Sequence, residues 1–263
     1  MRLGLGSYTY TWACGVPGHL PARPLTALAL CRRAMALGIG VVQLCENISL
    51  VPHEWPGVAA TGLRIEIGTR GLLSGALEAA WAAAVFFRSP FVRLVIDSGS
   101  HEPPPEETVR LLQPWAARAR ETGIRLAIEN HDRFPATVLA DIVEKLGTDA
   151  VGVTLDTVNS FGAAEGPEHV IQTLAPYVLS LHIKDFTIRR VPSQMGFTVE
   201  GCPAGEGMLN PARLLETLRA AGRDPNAIIE LWTPPAETLE ATILREAAWA
   251  EKSIANLRPL VAG

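Results

Sequence analysis

The chain has 263 residues, of which 48% are hydrophobic and 19% are charged, a balance typical of folded globular proteins and not of disordered ones. Its formal net charge of −4 offers no basic surface to a polyanion, so we expect neither a nucleic-acid partner nor a membrane partner. A small molecule is the expected partner.

The cysteines and the N-terminus indicate the expected compartment. Cys14, Cys31, Cys45 and Cys202 show no CxxC spacing, which argues against a zinc knuckle or a disulfide framework. The opening MRLGLGSYTYTW lacks a signal-peptide pattern, and the sequence holds no apolar run of about 18 residues. We therefore expect a cytoplasmic protein that is neither secreted nor membrane-spanning. The oligomeric state stays open, a homo-oligomer included.

Short apolar segments alternate along the chain with longer Ala- and Leu-rich segments of helical period, which predicts βα units and a parallel sheet. The predicted strands cover residues 2–8, 40–47, 63–69, 91–97, 124–130, 151–156, 178–185 and 227–232. The predicted helices cover 24–37, 74–87, 105–122, 136–146, 167–175, 210–221 and 238–257, with a poorly defined one near 52–60. Such repeats without a linker predict a single (β/α)8 TIM barrel over residues 1–263.

Local chemistry supports several of these boundaries. Asn210 before Pro211 predicts a helix N-cap, and Gly38, Gly123 and Gly222 stand where helices must stop. Residues 186–209 are different, because this connection is about twice the usual length of a βα loop. We predict that it is a lid or a binding loop.

Ionisable side chains end four of the predicted strands on the face expected to point inward. They are Glu129, Asp156, His182 and Glu230. Taken singly, each carboxylate has an alternative as a surface ion-pair partner. Together at the mouth of a barrel, three carboxylates would repel one another unless a cation lay between them. One nitrogen and three carboxylates suit a divalent metal, with Mn²⁺ preferred and Mg²⁺, Co²⁺ or Zn²⁺ as alternatives.

The same strand endings carry a family resemblance. The segments AIENHD, VGVTLDTVNS, LHIKDF, IIELW and GEGMLN resemble those of the xylose isomerase-like TIM barrels classed as sugar phosphate isomerases and epimerases. The resemblance covers nearly the whole chain and implies metal ligation by the four residues just named. In the epimerases it also implies that the two glutamates shuttle protons. Ketose 3-epimerases carry a histidine where Asn159 stands here, and an asparagine cannot replace a proton donor.

A narrower resemblance rests on SYTYTWACGVPG, VVQLCENISL, GTRG, HIKDF and MGFTVEGCPAGEG. These segments are similar to those of the 3-oxo-isoapionate decarboxylases, which break down a branched sugar acid. The resemblance implies metal-dependent decarboxylation of a small 3-oxo sugar acid in carbohydrate catabolism, through a metal-stabilised enediolate that needs one proton. Isomerisation or epimerisation of a ketose or keto-sugar is the alternative, and a non-catalytic sugar-binding barrel is a second one.

Further side chains are predicted to serve this site. Lys184 shares the inward face of His182, and His131 follows Glu129 by two residues, so either can deliver a proton. A salt bridge is the alternative role of Lys184. Arg189 opens the long loop, where a guanidinium can grip a carboxylate in bidentate fashion. The predicted catalytic residues are Lys184, His131, Glu129 and Glu230, and the predicted substrate-binding residues are Arg189, Asn159, Gln43 and Trp232.

Overall fold

Eight parallel strands close into a barrel in the computed structural model, which describes residues 1–72 and 75–261. The barrel strands are β1 (Leu3–Gly6), β2 (Val41–Leu44), β3 (Arg64–Arg70), β4 (Phe91–Val95), β5 (Arg125–Glu129), β6 (Val151–Asp156), β7 (Val178–Ile183) and β10 (Ala227–Ile229). Between β7 and β10 the chain forms a separate hairpin of β8 (Asp185–Arg190) and β9 (Phe197–Cys202). Strands β1 to β7 lie in chain order, and β10 closes the ring between β7 and β1. The predicted TIM barrel is confirmed.

The barrel strands are buried almost throughout, as expected for parallel strands covered on both faces. Several of them end earlier than predicted, among them β1, which ends at Gly6, and β10, which ends at Ile229. One hydroxyl explains both ends. The Thr9 Oγ1 accepts the backbone N–H of Gly6 at 2.9 Å and donates to the carbonyl of Ile229, so a side chain replaces the backbone ladder there.

The helices that surround the barrel are α1 (Thr11–Cys14), α2 (Ala27–Ala36), α3 (Trp55–Ala59), α4 (Ala76–Phe87), α5 (Pro105–Thr122), α6 (Ala136–Leu146), α7 (Pro167–Leu174), α8 (Pro211–Ala220) and α9 (Leu239–Val261). Seven of them, α2 and α4 to α9, correspond to the clearly predicted helices. Residue 74, where one predicted helix begins, lies outside the described residues. The poorly defined helix near 52–60 is a 3-10 turn that runs into α3.

The predicted capping chemistry is present. The Asn210 Oδ1 accepts the backbone N–H of Arg213 at 3.1 Å, with Pro211 at the first position of α8. Gly123 ends α5 with a φ of 74°, a left-handed conformation that a glycine adopts without strain. Within the described residues, no helix is both long enough and apolar enough to cross a membrane.

The long connection after β7, predicted as a lid or a binding loop, contains an ordered hairpin. Strands β8 and β9 pair antiparallel from Asp185 opposite Cys202 to Arg190 opposite Phe197. The Asp185 carboxylate then anchors the segment that follows, because it accepts backbone N–H groups from Gly205, Gly207 and Leu209 at 2.8 to 2.9 Å. The sequence GEG is therefore a turn built around a buried carboxylate, and a Cβ at Gly207 would collide with Asp185 Oδ1.

Candidate active site

The four predicted metal ligands come together at the carboxyl ends of the barrel strands. Glu129 and Asp156 end β5 and β6, His182 lies near the end of β7, and Glu230 directly follows β10. The His182 Nδ1 lies 3.3 Å from Glu129 Oε2, 3.8 Å from Asp156 Oδ2 and 3.2 Å from Glu230 Oε1. Glu129, Asp156 and His182 offer ligand atoms that all lie within 4.8 Å of one another. Glu230 approaches His182 but does not belong to that tighter set.

A β-bulge between β6 and β7 brings Asp156 and His182 together. The register shifts after Val153, which pairs with Val178, so that Asp156 lies opposite His182 instead of Leu181. Because partners in a ladder share a face, the shift points both side chains into the barrel. Gly152 leaves room for the extra residue, since a Cβ there would lie 2.6 Å from the Tyr177 carbonyl oxygen.

Two buried polar atoms of this cluster, His182 Nδ1 and Glu230 Oε1, have no hydrogen-bond partner within the described part of the chain, and Asp156 Oδ2 beside them is approached by the Lys184 ammonium at 2.8 Å. Buried polar atoms in proteins are nearly always hydrogen-bonded, so such a convergent set needs an explanation. Two carboxylate oxygens and an imidazole nitrogen pointing at one another are the donors that a divalent cation accepts. The donor set therefore fits a metal ion.

Gln43 fixes the orientation of the His182 ring. Its Oε1 lies 2.7 Å from His182 Nε2, so Nε2 carries the proton and Nδ1 keeps a lone pair that faces the carboxylates. The Gln43 amide nitrogen donates in turn to Glu66 at 3.2 Å and to Ser180 at 3.3 Å. Gln43 is fully buried below the cluster. The prediction that it contacts substrate is therefore corrected, because its whole side chain is engaged with protein groups.

Lys184 lies among the same carboxylates. Its Nζ is 2.8 Å from Asp156 Oδ2, 2.9 Å from Glu230 Oε2 and 3.3 Å from Asn159 Oδ1. Burial by itself would lower the pKa of Lys184, but the carboxylates of Asp156 and Glu230 outweigh it and raise that pKa above the ordinary value. The lysine thus carries a proton at the edge of the cavity. The salt bridge that was the alternative prediction is present.

Two side chains hold the Glu129 carboxylate, one a guanidinium and the other an amide. Arg93 Nε donates to Glu129 Oε2, and Asn159 Nδ2 donates to Glu129 Oε1 at 2.8 Å. Burial raises the pKa of Glu129, but Arg93 and His182 lower it by more, so the carboxylate stays ionised. Arg93 also binds Glu46 at 2.9 Å. Sequence reasoning missed Arg93 and Glu46, although an arginine in the apolar segment FVRLV was an available signal.

A cavity of about 400 Å³ opens above the cluster. Six of the predicted residues line it: Glu129, His131, Asn159, Lys184, Glu230 and Trp232. Arg189 does not belong to the lining, because the hairpin carries it into an exposed position on β8. The arginine that reaches the cavity from the mouth is Arg70, at the end of β3.

Comparison with known proteins identifies the family of the chain. Residues 74–260 match the sequence profile of the xylose isomerase-like TIM barrels. The chain belongs to this family. The family resemblance predicted from the strand endings is therefore confirmed, and the buried cluster of Glu129, Asp156 and His182 is a candidate metal site in a xylose isomerase-like barrel.

One relative in the family is similar over nearly its whole length. The 3-oxo-isoapionate decarboxylase of Pectobacterium atrosepticum is 31% identical over 97% of this chain and 94% of its own. Solved structures show the shared fold at lower identity. D-psicose 3-epimerase of Clostridium cellulolyticum H10 superposes with a TM-score of 0.68 at 15% identity, covering 99% of each chain. A xylose isomerase-like protein of Mycobacterium smegmatis in complex with magnesium gives 0.66 at 15%, covering 97% of each.

Proposed function

We propose that this xylose isomerase-like barrel is a divalent-metal-dependent decarboxylase of a small 3-oxo sugar acid. The observation that carries the proposal is the convergence of buried ligand atoms, two of them without a hydrogen-bond partner among the described residues, beneath a cavity lined by cationic side chains. The relative named for decarboxylation of such an acid supports it, because the similarity extends over both chains almost completely.

Glu129, Asp156, His182 and Glu230 would hold the metal. Mn²⁺ is the proposed ion, with Mg²⁺, Co²⁺ and Zn²⁺ as alternatives, since carboxylate-rich sites with one imidazole accept all four. When bound, a divalent cation supplies Lewis acidity towards a ketone oxygen of the substrate. Gln43 keeps the imidazole lone pair turned towards the cluster, and Arg93 keeps Glu129 ionised and in place.

Decarboxylation of a 3-oxo acid breaks the bond between the carboxylate carbon and its neighbour, and the bonding electron pair moves onto that neighbour, which conjugates with the ketone. Carbon dioxide leaves, and the carbon must then gain one proton. Lys184 is the proposed donor, because its Nζ is protonated and lines the cavity beside Glu230. His131 is the second candidate, although its Nε2 lies 3.0 Å from Arg70 and its Nδ1 lies 2.9 Å from Asp132.

A substitution series separates these donors. Lys184→Met should lower the rate of carbon dioxide release by about 10²–10⁴-fold, the usual effect of losing a general acid, without weakening Mn²⁺ binding. Intact metal affinity matters, because it shows that the four ligands still meet. His131→Asn serves as the matched variant. If His131→Asn alone abolishes release while Lys184→Met leaves it unchanged, the proton comes from the histidine.

Isomerisation or epimerisation of a ketose is the second candidate function. Glu129 and Glu230 both line the cavity, as a paired acid and base would. Asn159 argues against this function. Its amide donates a hydrogen bond to Glu129 but cannot transfer a proton as a general acid would. The structural likeness to D-psicose 3-epimerase shows the fold only.

One panel decides between these reactions. Metal-loaded protein is incubated in D₂O with 3-oxo sugar acids and with ketoses. Carbon dioxide release from an acid supports the decarboxylase, and deuterium entering a ketose without carbon loss supports the isomerase. If neither reaction occurs with any compound of the panel, the result favours the non-catalytic sugar-binding barrel. Glu230→Gln should weaken Mn²⁺ binding in calorimetry, whereas exposed Glu200→Gln should not, and unchanged affinity in the first variant would contradict the metal site.

A further inference from the structure

Three cationic side chains line the cavity, and two of them are fully committed to carboxylates. Lys184 contacts Asp156 and Glu230, and its side chain is 9% exposed. Arg93 contacts Glu46 and Glu129, and its side chain is 3% exposed. Each is balanced by two carboxylates, so neither has positive charge to spare for a substrate carboxylate, although Lys184 still carries the proton proposed for the product carbon. These two cations neutralise carboxylates of the protein and hold them in place.

Arg70 differs from both, because 34% of its side chain is exposed. Its Nε lies 3.6 Å from Glu46 Oε1, beyond hydrogen-bond distance, and Glu46 already accepts from Tyr8 at 2.8 Å and from Arg93. Its only hydrogen bond to the described residues runs from Nη2 to His131 Nε2 at 3.0 Å. Most donors of this guanidinium are therefore available to a ligand in the cavity.

The charges around the cavity agree with an anionic ligand. Four carboxylates face three cations and so leave one negative charge; the carboxylates are those of Glu46, Glu129, Asp156 and Glu230, and the cations are those of Arg70, Arg93 and Lys184. A divalent ion on the ligand cluster turns this into one surplus positive charge. A monoanion then balances the site, whereas a neutral ketose leaves a guanidinium without a partner.

The position of Arg70 suits recognition of the carboxylate that a 3-oxo acid carries close to its ketone. Arg70 ends β3, which lies four strands around the closed barrel from β7, the strand that carries His182. In a 3-oxo acid a single carbon separates the carboxylate from the ketone carbon, so a molecule whose ketone oxygen lies at the metal-ligand cluster can turn that carboxylate towards Arg70, which lines the same cavity. Glu46 and His131 flank the guanidinium and limit its rotation.

We infer that Arg70 is the specificity-determining residue that binds the substrate's carboxylate, so that the site selects a sugar acid over a neutral sugar of the same size. The inference deepens the proposed function and rests on it for the identity of the substrate class. Arg70 takes the role of binding the substrate carboxylate that the sequence predicted for Arg189. Arg189 is exposed outside the cavity, and a guanidinium must reach the cavity to bind a carboxylate there in bidentate fashion.

Calorimetry on the Mn²⁺-loaded protein tests this with D-erythronate, a four-carbon sugar acid, and erythritol, its neutral polyol. The wild type should bind the acid at least about tenfold more tightly, the usual contribution of a charge-assisted pair. Arg70→Gln should reduce that preference to about twofold or less, with Mn²⁺ affinity and melting temperature unchanged. Arg189→Gln, the matched control on the exposed hairpin, should keep the full preference.

Two outcomes overturn the inference: a wild type that binds the acid no better than the polyol, including one that binds neither, and an Arg70→Gln variant that keeps the preference. If Arg70→Gln does not fold, Arg70→Lys decides, because lysine keeps the charge but loses the planar fork, and the preference should fall severalfold. These measurements need no turnover. A preference for the acid that depends on Arg70, without carbon dioxide release, would refute the proposed reaction alone. Carbon dioxide release by the wild type, together with a preference for the acid that Arg70→Gln leaves unchanged, would refute the inference alone.

Discussion

We predict that the buried carboxyl of Glu246 makes the free energy of unfolding of this barrel depend on pH. It is a fully buried carboxyl on α9 that accepts the backbone N–H groups of Trp12 at 2.9 Å and Ala13 at 3.2 Å. It thereby fastens α1, whose Trp12 lines the cavity, to the last helix. Burial raises the pKa of Glu246 from 4.5 to about 7, against the opposing effect of the two backbone hydrogen bonds.

A carboxyl whose pKa is higher in the folded state than in the unfolded state binds its proton more tightly when folded. Stability from this group is therefore present below about pH 4.5 and is lost as the pH rises through about 7. One pKa unit corresponds to about 1.4 kcal/mol, so a rise from 4.5 to about 7 lowers the free energy of unfolding by roughly 3 kcal/mol. The loss should be complete by about pH 8.

The assay compares urea unfolding of the wild type and of Glu246→Gln from about pH 4.5 to about pH 8, the range over which this carboxyl titrates. A glutamine keeps the shape and removes the titration, so the stability difference between the two proteins should shift by roughly 3 kcal/mol across that range. Glu240→Gln, an exposed substitution on the same helix, should produce no such shift. A wild-type-minus-Glu246→Gln difference that stays constant with pH would refute the reasoning.

Three further predictions follow from the contacts of the site. Gln43→Leu should weaken Mn²⁺ binding about 10–100-fold, because it frees the His182 ring; calorimetry measures it, and unchanged affinity would contradict the orienting role. Gly152→Ala should lower the free energy of unfolding by about 1–3 kcal/mol and also weaken Mn²⁺ binding, since its Cβ would collide with backbone at the bulge. A stable, fully metal-binding variant would count against this account. Asp185→Asn should cost about 2 kcal/mol or more in urea unfolding and speed amide hydrogen exchange of Gly207, because an amide offers one acceptor oxygen where a carboxylate offers two; protected exchange would disprove it.

The candidate site was predictable where a local pattern carries the information. An apolar strand that ends in a carboxylate or an imidazole is visible in the sequence, and so Glu129, Asp156, His182 and Glu230 could be named before their positions were known. The contacts between side chains were not predictable in the same way. Gln43 on β2 and Arg93 on β4 lie far along the chain from the residues that they hold. Their roles depend on tertiary neighbours, because Gln43 reaches His182 on the non-adjacent β7 and Arg93 reaches Glu129 on the adjacent β5.

The hairpin shows the same limit. Length alone marked residues 186–209 as unusual, but it could not show that the chain folds back as two paired strands and takes Arg189 away from the cavity. That outcome depends on Asp185, whose carboxylate collects backbone N–H groups from about twenty residues further along. Arg70 gained its place in the cavity for the complementary reason, because β3 ends at the mouth.

The sequence by itself determined the alternation of buried strands and amphipathic helices, the barrel that this alternation implies, and the kinds of donor atom at the strand ends. Only the tertiary structure decided which of these atoms meet. A single bulge beside Gly152 places Asp156 opposite His182, and a shift of one residue would have placed a leucine there. The physical reason is that strand register is fixed by backbone pairing and packing between distant segments, which a local pattern does not contain.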